Sequence, residues 1–126
     1  ILLQTNLWYE WKKLEDRGIP IDHEHVLFGK FIREKIFPGG MLCDPDVVIA
    51  RGKEAGFEVP EVQSLAKDYI PTLDEWAANL EANREKAIEL TSQESYDDYM
   101  HYLTGCSKLF QSGHIDVMQF TFAKPA

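Results

Sequence analysis

The stretch HIDVMQFTF, residues 114–122, is the strongest indication of how this chain folds. Apolar and polar side chains alternate along it, which is typical of a β-strand with one buried face and one polar face. The apolar positions are Ile115, Val117, Phe120 and Phe122. The sequence therefore predicts a strand at residues 114–122, with Asp116 on its polar face.

Helical periodicity precedes this strand. From Ser92 to Gly113, apolar side chains recur every three or four residues, and Gly113 is placed to end the helix. A second periodic segment begins near Thr72, where residues 72–75, TLDE, form a capping box. The apolar face of that predicted helix consists of Leu73, Trp76, Ala77, Leu80, Ala87 and Ile88.

The rest of the chain adds two strands and two helices. We predict strands at Ile1–Thr5 and Phe57–Ser64, an irregular or partly helical connection at residues 6–22, a helix from Asp22 to Ile36, and a helix from Pro45 or Asp46 to Gly56. This order indicates an α/β fold. Because three strands make a small sheet for this class, the pattern predicts the trailing half of a larger sheet whose other strands precede Ile1.

Composition limits the classes of function. The 126 residues suffice for one globular unit, residues 1–126, and include 13 Lys and Arg against 21 Asp and Glu, a net charge of -8. This balance disfavours nucleic acid as a partner, since each phosphate contact needs a cation. We expect no transmembrane segment and no signal peptide, and the two cysteines suit a reducing, cytoplasmic location.

Four segments carry longer motifs: residues 30–42, KFIREKIFPGGML; residues 69–76, YIPTLDEW; residues 99–110, YMHYLTGCSKLF; and residues 115–121, IDVMQFT. Together they resemble the cyclopropane fatty acid synthases and the mycolic acid cyclopropane synthases, most closely the mycolic acid branch. The resemblance implies the C-terminal part of a Rossmann-like, S-adenosylmethionine-dependent methyltransferase. Its sheet has seven strands and an antiparallel last strand, with Ile1–Thr5, Phe57–Ser64 and His114–Phe122 as strands five, six and seven.

The implied activity is methylation of unsaturated fatty acyl or mycolic acyl chains, giving a cyclopropane or a methyl branch, with the acyl chain held on a carrier protein or a phospholipid. The family binds its cofactor with a Gly-rich loop after strand one and an acidic residue after strand two. This chain has no G-x-G pattern, so we expect it not to bind S-adenosylmethionine alone and to be inactive alone. The alternative is a non-catalytic acyl-binding or interaction domain of a truncated paralogue.

Tyr69 and Gln4 are the candidate catalytic residues. Methylation of an alkene leaves positive charge on carbon, which an aromatic face stabilises. In the family, a tyrosine matching Tyr69 lies beside the reacting carbons and helps to hold bicarbonate, the proposed base. A histidine of the same site corresponds to Gln4, and an aliphatic residue corresponds to Asn6. A glutamine amide donates a hydrogen bond but carries no proton, which weighs against bicarbonate and leaves methyl branching as an alternative.

Six further residues match positions that line the acyl tunnel of the family: Phe37, Leu73, Trp76, Tyr102, Cys106 and Phe110. Residues at this helical spacing are also typical of an ordinary core, so both interpretations stay open. We expect Cys106 to be an inert buried thiol. Residues 22–25, DHEH, are expected to form a solvated first helical turn and to hold no metal. The apolar edge of Ile1–Thr5 predicts self-association.

Overall fold

A computed structural model describes residues 1–126. The strands are β1 (Leu2–Trp8), β2 (Glu58–Ser64) and β3 (Ile115–Ala123). The α-helices are α1 (Trp11–Asp16), α2 (His23–Phe31), α3 (Pro45–Glu54), α4 (Ala66–Ala82), α5 (Arg84–Leu90) and α6 (Gln93–Ser112). A π-helical turn, Ile32–Ile36, extends α2. The predicted α/β class is confirmed.

The three strands form one sheet in the order β1-β3-β2, so the last strand of the chain is the central one. β3 runs antiparallel to both neighbours, as the family resemblance implies for its last strand. The register aligns Leu2 with Thr121 and Trp8 with Ile115. On the other side, Pro60 lies within β2 where the pairing with β3 is irregular, between Glu58 and Glu61. Proline has no N–H to donate to a regular ladder, so it is tolerated at this irregular point of an edge strand.

The prediction that β3 buries only one face was wrong. Ile115 and Val117 belong to a core cluster with residues of α4 and α6, including Leu103. Phe120 and Phe122 point to the other face, where they pack with Leu7 of β1 and residues of α3. A central strand in a sheet covered on both faces carries apolar side chains on both. Asp116, expected at a polar face, is accordingly buried, and it accepts hydrogen bonds from the Tyr9 and Ser64 hydroxyls.

The predicted start of α4 was also wrong. The helix begins at Ala66, six residues before the expected Thr72, and it contains Pro71. Thr72 does not cap it, because its hydroxyl donates to the Asp68 carbonyl. The early start is stabilised by tertiary packing, since Leu65 and Ile70 contact the core below the helix. This burial outweighs the cost of Pro71 within the helix. The capping-box pattern at residues 72–75, on which the prediction relied, does not mark the start of the helix.

Two boundaries differ from expectation for local reasons. The predicted continuous helix over residues 72–88 is broken at Asn83, whose side-chain amide donates back to the Asn79 carbonyl, and α5 starts afresh at Arg84. β1 continues three residues beyond the predicted Thr5, since its pairing with β3 extends to Trp8. The connection after it contains the short helix α1, in line with a partly helical segment.

The predicted caps of the other helices are confirmed. Asp22 caps α2 by accepting from the His25 N–H, and the His25 ring accepts from the Asp22 N–H. The side chains of Asp22 and His25 are thus engaged in capping this turn. No group of three or more His, Cys, Asp or Glu side chains is arranged to hold a metal. Gly113 ends α6 with φ +83°, a backbone conformation that favours glycine.

Asp44 connects α1 to α3. Its carboxylate accepts from the Glu10 N–H at 3.0 Å and from the Asp46 N–H at 2.9 Å, which caps α3. The ammonium group of Lys13 forms an ion pair with the same carboxylate. Burial disfavours the charged carboxylate, but Lys13 and the two backbone donors outweigh burial and hold the pKa of Asp44 below its ordinary value.

We expect the fold to lose stability in acid partly through Asp44. A lowered pKa means that the stabilisation is present above the unfolded-state pKa, about 3.9, and is lost as the pH falls through the folded-state pKa. Asp44→Asn keeps an acceptor but no charge, so it should cost about 1–3 kcal/mol near neutral pH and should flatten the acid dependence. Urea unfolding between neutral and acid pH measures both effects. Equal acid sensitivity of the two proteins would contradict this assignment.

Candidate functional site

Hydrogen bonds join three side chains on one face of the sheet. Gln119 Nε2 donates to Gln4 Oε1 at 2.8 Å, and Gln4 Nε2 donates to the Tyr69 hydroxyl oxygen at 2.9 Å. Gln4 and Gln119 are direct cross-strand partners in β1 and β3, so their side chains project from the same face. By the alternation of side chains along β3, this face is the one that carries Ile115 and Val117.

The start of α4 places Tyr69 over this face. The Leu65 N–H donates to the Val117 carbonyl at 2.7 Å, which ties the first residue before the helix to the central strand. One turn later, the Tyr69 N–H donates to the Leu65 carbonyl at 3.0 Å. The Tyr69 ring centre lies 6.2 Å from that of Phe110 in α6. Tyr69 is thereby held between the glutamine pair and the helical layer.

Most of the predicted acyl-lining residues lie together. We name as the aromatic cluster the buried Leu73 and Phe110 with the partly buried Tyr69, Tyr102 and Cys106, all of which belong to or pack against one core. Leu73 and Phe110 are 3% and 8% exposed, so in this chain both serve the core. Trp76 lies apart, with 52% of its surface exposed. The structure therefore gathers four of the six acyl-lining candidates around Tyr69 and leaves Trp76 outside them.

Phe37 joins the cluster at its margin. Its ring packs edge-on against Tyr102 with 5.8 Å between ring centres, while 52% of its surface remains exposed. The π-helical turn before Phe37 is fixed against α6 by a Lys35–Glu94 ion pair at 3.5 Å. Earlier in the chain, the ring of Phe28 in α2 occupies the space over Gly105. A Cβ atom at position 105 would come within 2.2 Å of that ring. This close approach requires glycine at position 105.

Burial makes ionisation of the polar groups in the cluster even less favourable. It raises the pKa of the Cys106 thiol to about 12, so that the thiol is protonated at neutral pH. Burial, followed by the neighbouring Cys106 and Tyr99, raises the pKa of Tyr102 to about 12. A neutral thiol is a poor nucleophile. The cluster is thus largely apolar. Its one hydroxyl that is bonded to the glutamine pair is that of Tyr69.

Sequence reasoning identified Gln4 and Tyr69 but missed Gln119. Gln119 lies in the 115–121 motif, yet its contact with Gln4 depends on the register between β1 and β3, which the sequence does not display. Asn6, the other position that departs from the family pattern, pairs in register with Val117 and lies on the exposed edge strand. The catalytic role of Tyr69 and Gln4 and the acyl-lining role of the six other residues stay predictions.

The residues present do not fit the cofactor implied by the resemblance. A site of that kind needs a Gly-rich loop directly after a strand. Each of the four glycines with positive φ follows a helix: Gly18, Gly39, Gly56 and Gly113.

No helix of the protein combines the length and the apolar composition required to cross a membrane.

Comparison with known proteins gives a consistent result. Residues 1–120 match the family model described as "Mycolic acid cyclopropane synthetase". The chain is 48% identical to cyclopropane mycolic acid synthase 3 of Mycobacterium tuberculosis over 124 residues. The aligned region covers 98% of this chain and 43% of that relative. Among solved structures, the cyclopropane synthase MmaA2 of Mycobacterium tuberculosis superposes with a TM-score of 0.95 at 42% identity, again over 98% of this chain and 43% of the other. The mycolic acid cyclopropane synthase CmaA1, complexed with SAH and CTAB, superposes with a TM-score of 0.91 at 46% identity, over the same shares.

Proposed function

Because this chain belongs to the mycolic acid cyclopropane synthetase family, we propose that it forms the acyl-binding portion of an S-adenosylmethionine-dependent methyltransferase. The substrate class is unsaturated fatty acyl or mycolic acyl chains, and the product carries a cyclopropane or a methyl branch. The chain spans 43% of the length of the curated relatives it matches. The proposal therefore concerns the whole protein, with residues 1–126 contributing the substrate side of the site.

The observation that carries the proposal is the position of the Tyr69 hydroxyl. It is bonded to Gln4 and belongs to the aromatic cluster, in which burial raises the pKa values of Tyr102 and Cys106. An acyl chain packed along such a surface would lose the water around its alkene. The tyrosine ring would face any positive charge that develops there, and this cation–π interaction contributes about 0.5–2 kcal/mol. Tyr69 thus combines a cation-stabilising face with a hydroxyl that can orient a base.

S-adenosylmethionine supplies an electrophilic methyl group when it is bound. Since each of the four glycines with positive φ follows a helix rather than a strand, we place the cofactor site in residues outside this chain. What this chain contributes is the exclusion of water by the cluster and a hydrogen bond at Tyr69. Bicarbonate at this point would have to be held without the histidine of the family pattern. Gln4 offers amide donors in its place, and one of its two N–H groups is already bonded to Tyr69.

The partner is an acyl chain presented by a carrier protein or a phospholipid. The two cysteines are unpaired, which suits the cytoplasm, where thiols stay reduced.

In this chain the edge of β1 carries Ile1, Leu2 and Leu3 with 77%, 62% and 41% of their surfaces exposed. An uncovered edge of this kind pairs with another strand, so we expect residues 1–126 to self-associate when prepared alone.

Methyl transfer by the whole protein tests the proposal. The protein is incubated with cofactor labelled in its methyl group and with either phospholipid vesicles bearing cis-unsaturated acyl chains or an acyl carrier protein charged with such a chain. We expect label in an acyl product that is heavier by one methylene group. Mild hydrogenation then separates the products, because a methyl-branched alkene takes up hydrogen while a cyclopropane ring resists.

A second candidate is favoured by Gln4, which cannot accept and release a proton as a histidine can. On this view the protein binds the acyl chain without modifying it. Retention of a fluorescent acyl chain by the whole protein, without transfer of label to any of the substrates, would support the non-catalytic function and overturn the first.

A further inference from the structure

We propose that Gln119 is a positioning residue that fixes the orientation of the Gln4 amide and thereby directs the Tyr69 hydroxyl proton toward the substrate. The inference rests on the proposed function, because it assigns a task to a residue at the same site. Gln119 touches neither Tyr69 nor the aromatic cluster through any hydrogen bond. Its one side-chain partner is Gln4.

A glutamine amide has two different ends. Its oxygen only accepts hydrogen bonds, and its nitrogen only donates them. Gln119 donates to the Gln4 oxygen at 2.8 Å, so the Gln4 nitrogen is left facing Tyr69, to which it donates at 2.9 Å. The Tyr69 oxygen therefore acts as the acceptor in this pair. Its own proton is not used by Gln4 and is free to be donated to a base or another polar group beside the acyl chain.

Reversal of the Gln4 amide would have the opposite effect. With the Gln4 oxygen facing Tyr69, the tyrosine proton would be donated to Gln4 and withdrawn from the substrate side. Nothing in the size of the site distinguishes the two orientations, because an amide oxygen and an amide nitrogen are of similar volume. The orientation of Gln4 is coupled to that of Gln119: while Gln119 Nε2 donates to the Gln4 oxygen, the Gln4 nitrogen is the end that faces Tyr69.

Gln119→Glu tests this directly. An ionised carboxylate has the shape of the amide but only accepts hydrogen bonds, so Gln4 must turn its nitrogen toward residue 119 and its oxygen toward Tyr69. In the whole protein, with labelled cofactor and the acyl substrate that supports transfer, we expect kcat to fall about tenfold to a hundredfold. KM for the acyl substrate should change little, since no acyl contact is removed.

Gln63→Glu is the matched control. Gln63 is the cross-strand partner of Gln119 on the β2 side, in the same row of the sheet, and has no side-chain hydrogen bond to Gln4. The Gln63→Glu substitution introduces the same negative charge one strand farther from Tyr69. We expect turnover within about twofold of the parent, as for most surface substitutions away from special contacts. A thermal melt of each variant checks that the fold is retained.

A double-mutant cycle with Tyr69→Phe decides whether the effect passes through the hydroxyl. Without that hydroxyl the orientation of Gln4 has no consequence, so Gln119→Glu should cause no further loss in the Tyr69→Phe protein. Additive losses, or full turnover of Gln119→Glu in a folded protein, would overturn the inference while leaving the proposed function intact. Absence of methyl transfer in the parent protein would instead overturn the proposed function, and the inference with it.

Discussion

Replacing Phe120 by alanine should lower the free energy of unfolding by about 3–5 kcal/mol, the range for a fully buried phenylalanine. Phe120 is 0% exposed and lies in the central strand, where it packs with Leu7 and with Phe122, whose ring is stacked at 6.2 Å. The surrounding residues belong to all three strands and to α3, so they cannot collapse into the space without disturbing the sheet. A cavity would remain, and its cost adds to the lost transfer free energy.

Phe37→Ala is the comparison that isolates burial. The same chemical change is made at a ring that is 52% exposed and lies on a turn rather than in the sheet. We expect its cost to be below about 1 kcal/mol, because little area is withdrawn from the interior. Guanidinium unfolding of the two variants and the parent gives both values. If Phe120→Ala cost no more than Phe37→Ala, the assignment of a second core on the α3 face of the sheet would be wrong.

Tyr69→Phe should reduce methyl transfer by the whole protein about tenfold to a hundredfold, which corresponds to about 1–3 kcal/mol in the activation free energy. The substitution keeps the ring beside Phe110 and removes the hydroxyl that Gln4 bonds. Because the apolar surface is unchanged, binding of the acyl chain should barely change. Steady-state transfer of labelled methyl groups measures the loss.

Tyr69→Ala separates the ring from the hydroxyl. It removes the aromatic face as well, so we expect a larger loss of turnover together with weaker retention of the acyl chain. Its effect on stability should be smaller than that of Phe120→Ala, since Tyr69 is only partly buried. Full turnover of Tyr69→Phe in a folded protein would return Tyr69 to a packing role in the core.

Local chemistry made several elements of the fold predictable. Caps such as Asp22 and the glycine at 113 act within one helical turn, so their effects are visible in the sequence. The start of α4 was not predictable in this way, because it depends on Leu65 meeting Val117 across the fold. The two buried faces of β3 were also missed, since Val117 and Phe120 look like one apolar series until the alternation is counted residue by residue.

The site shows the same division. The family motifs pointed to Tyr69 and Gln4, and the hydrogen bond between them agrees with a shared location. Gln119 could not be assigned, because its neighbour in space is 115 residues away in sequence. The register of an edge strand against a central strand is determined by the whole row of cross-strand pairs, and no single residue reports it.

The strand order β1-β3-β2 also affects how the chain can fold during synthesis. β1 and β2 do not pair with each other, so neither can pair with β3 until residues 115–123 have left the ribosome. Until then their apolar side chains and unpaired backbone groups are available to chaperones or to neighbouring chains. Closing such distant contacts is slow, and the pairing of these three strands, with its Gln119–Gln4 contact, must therefore form as a unit once residues 115–123 have been synthesised.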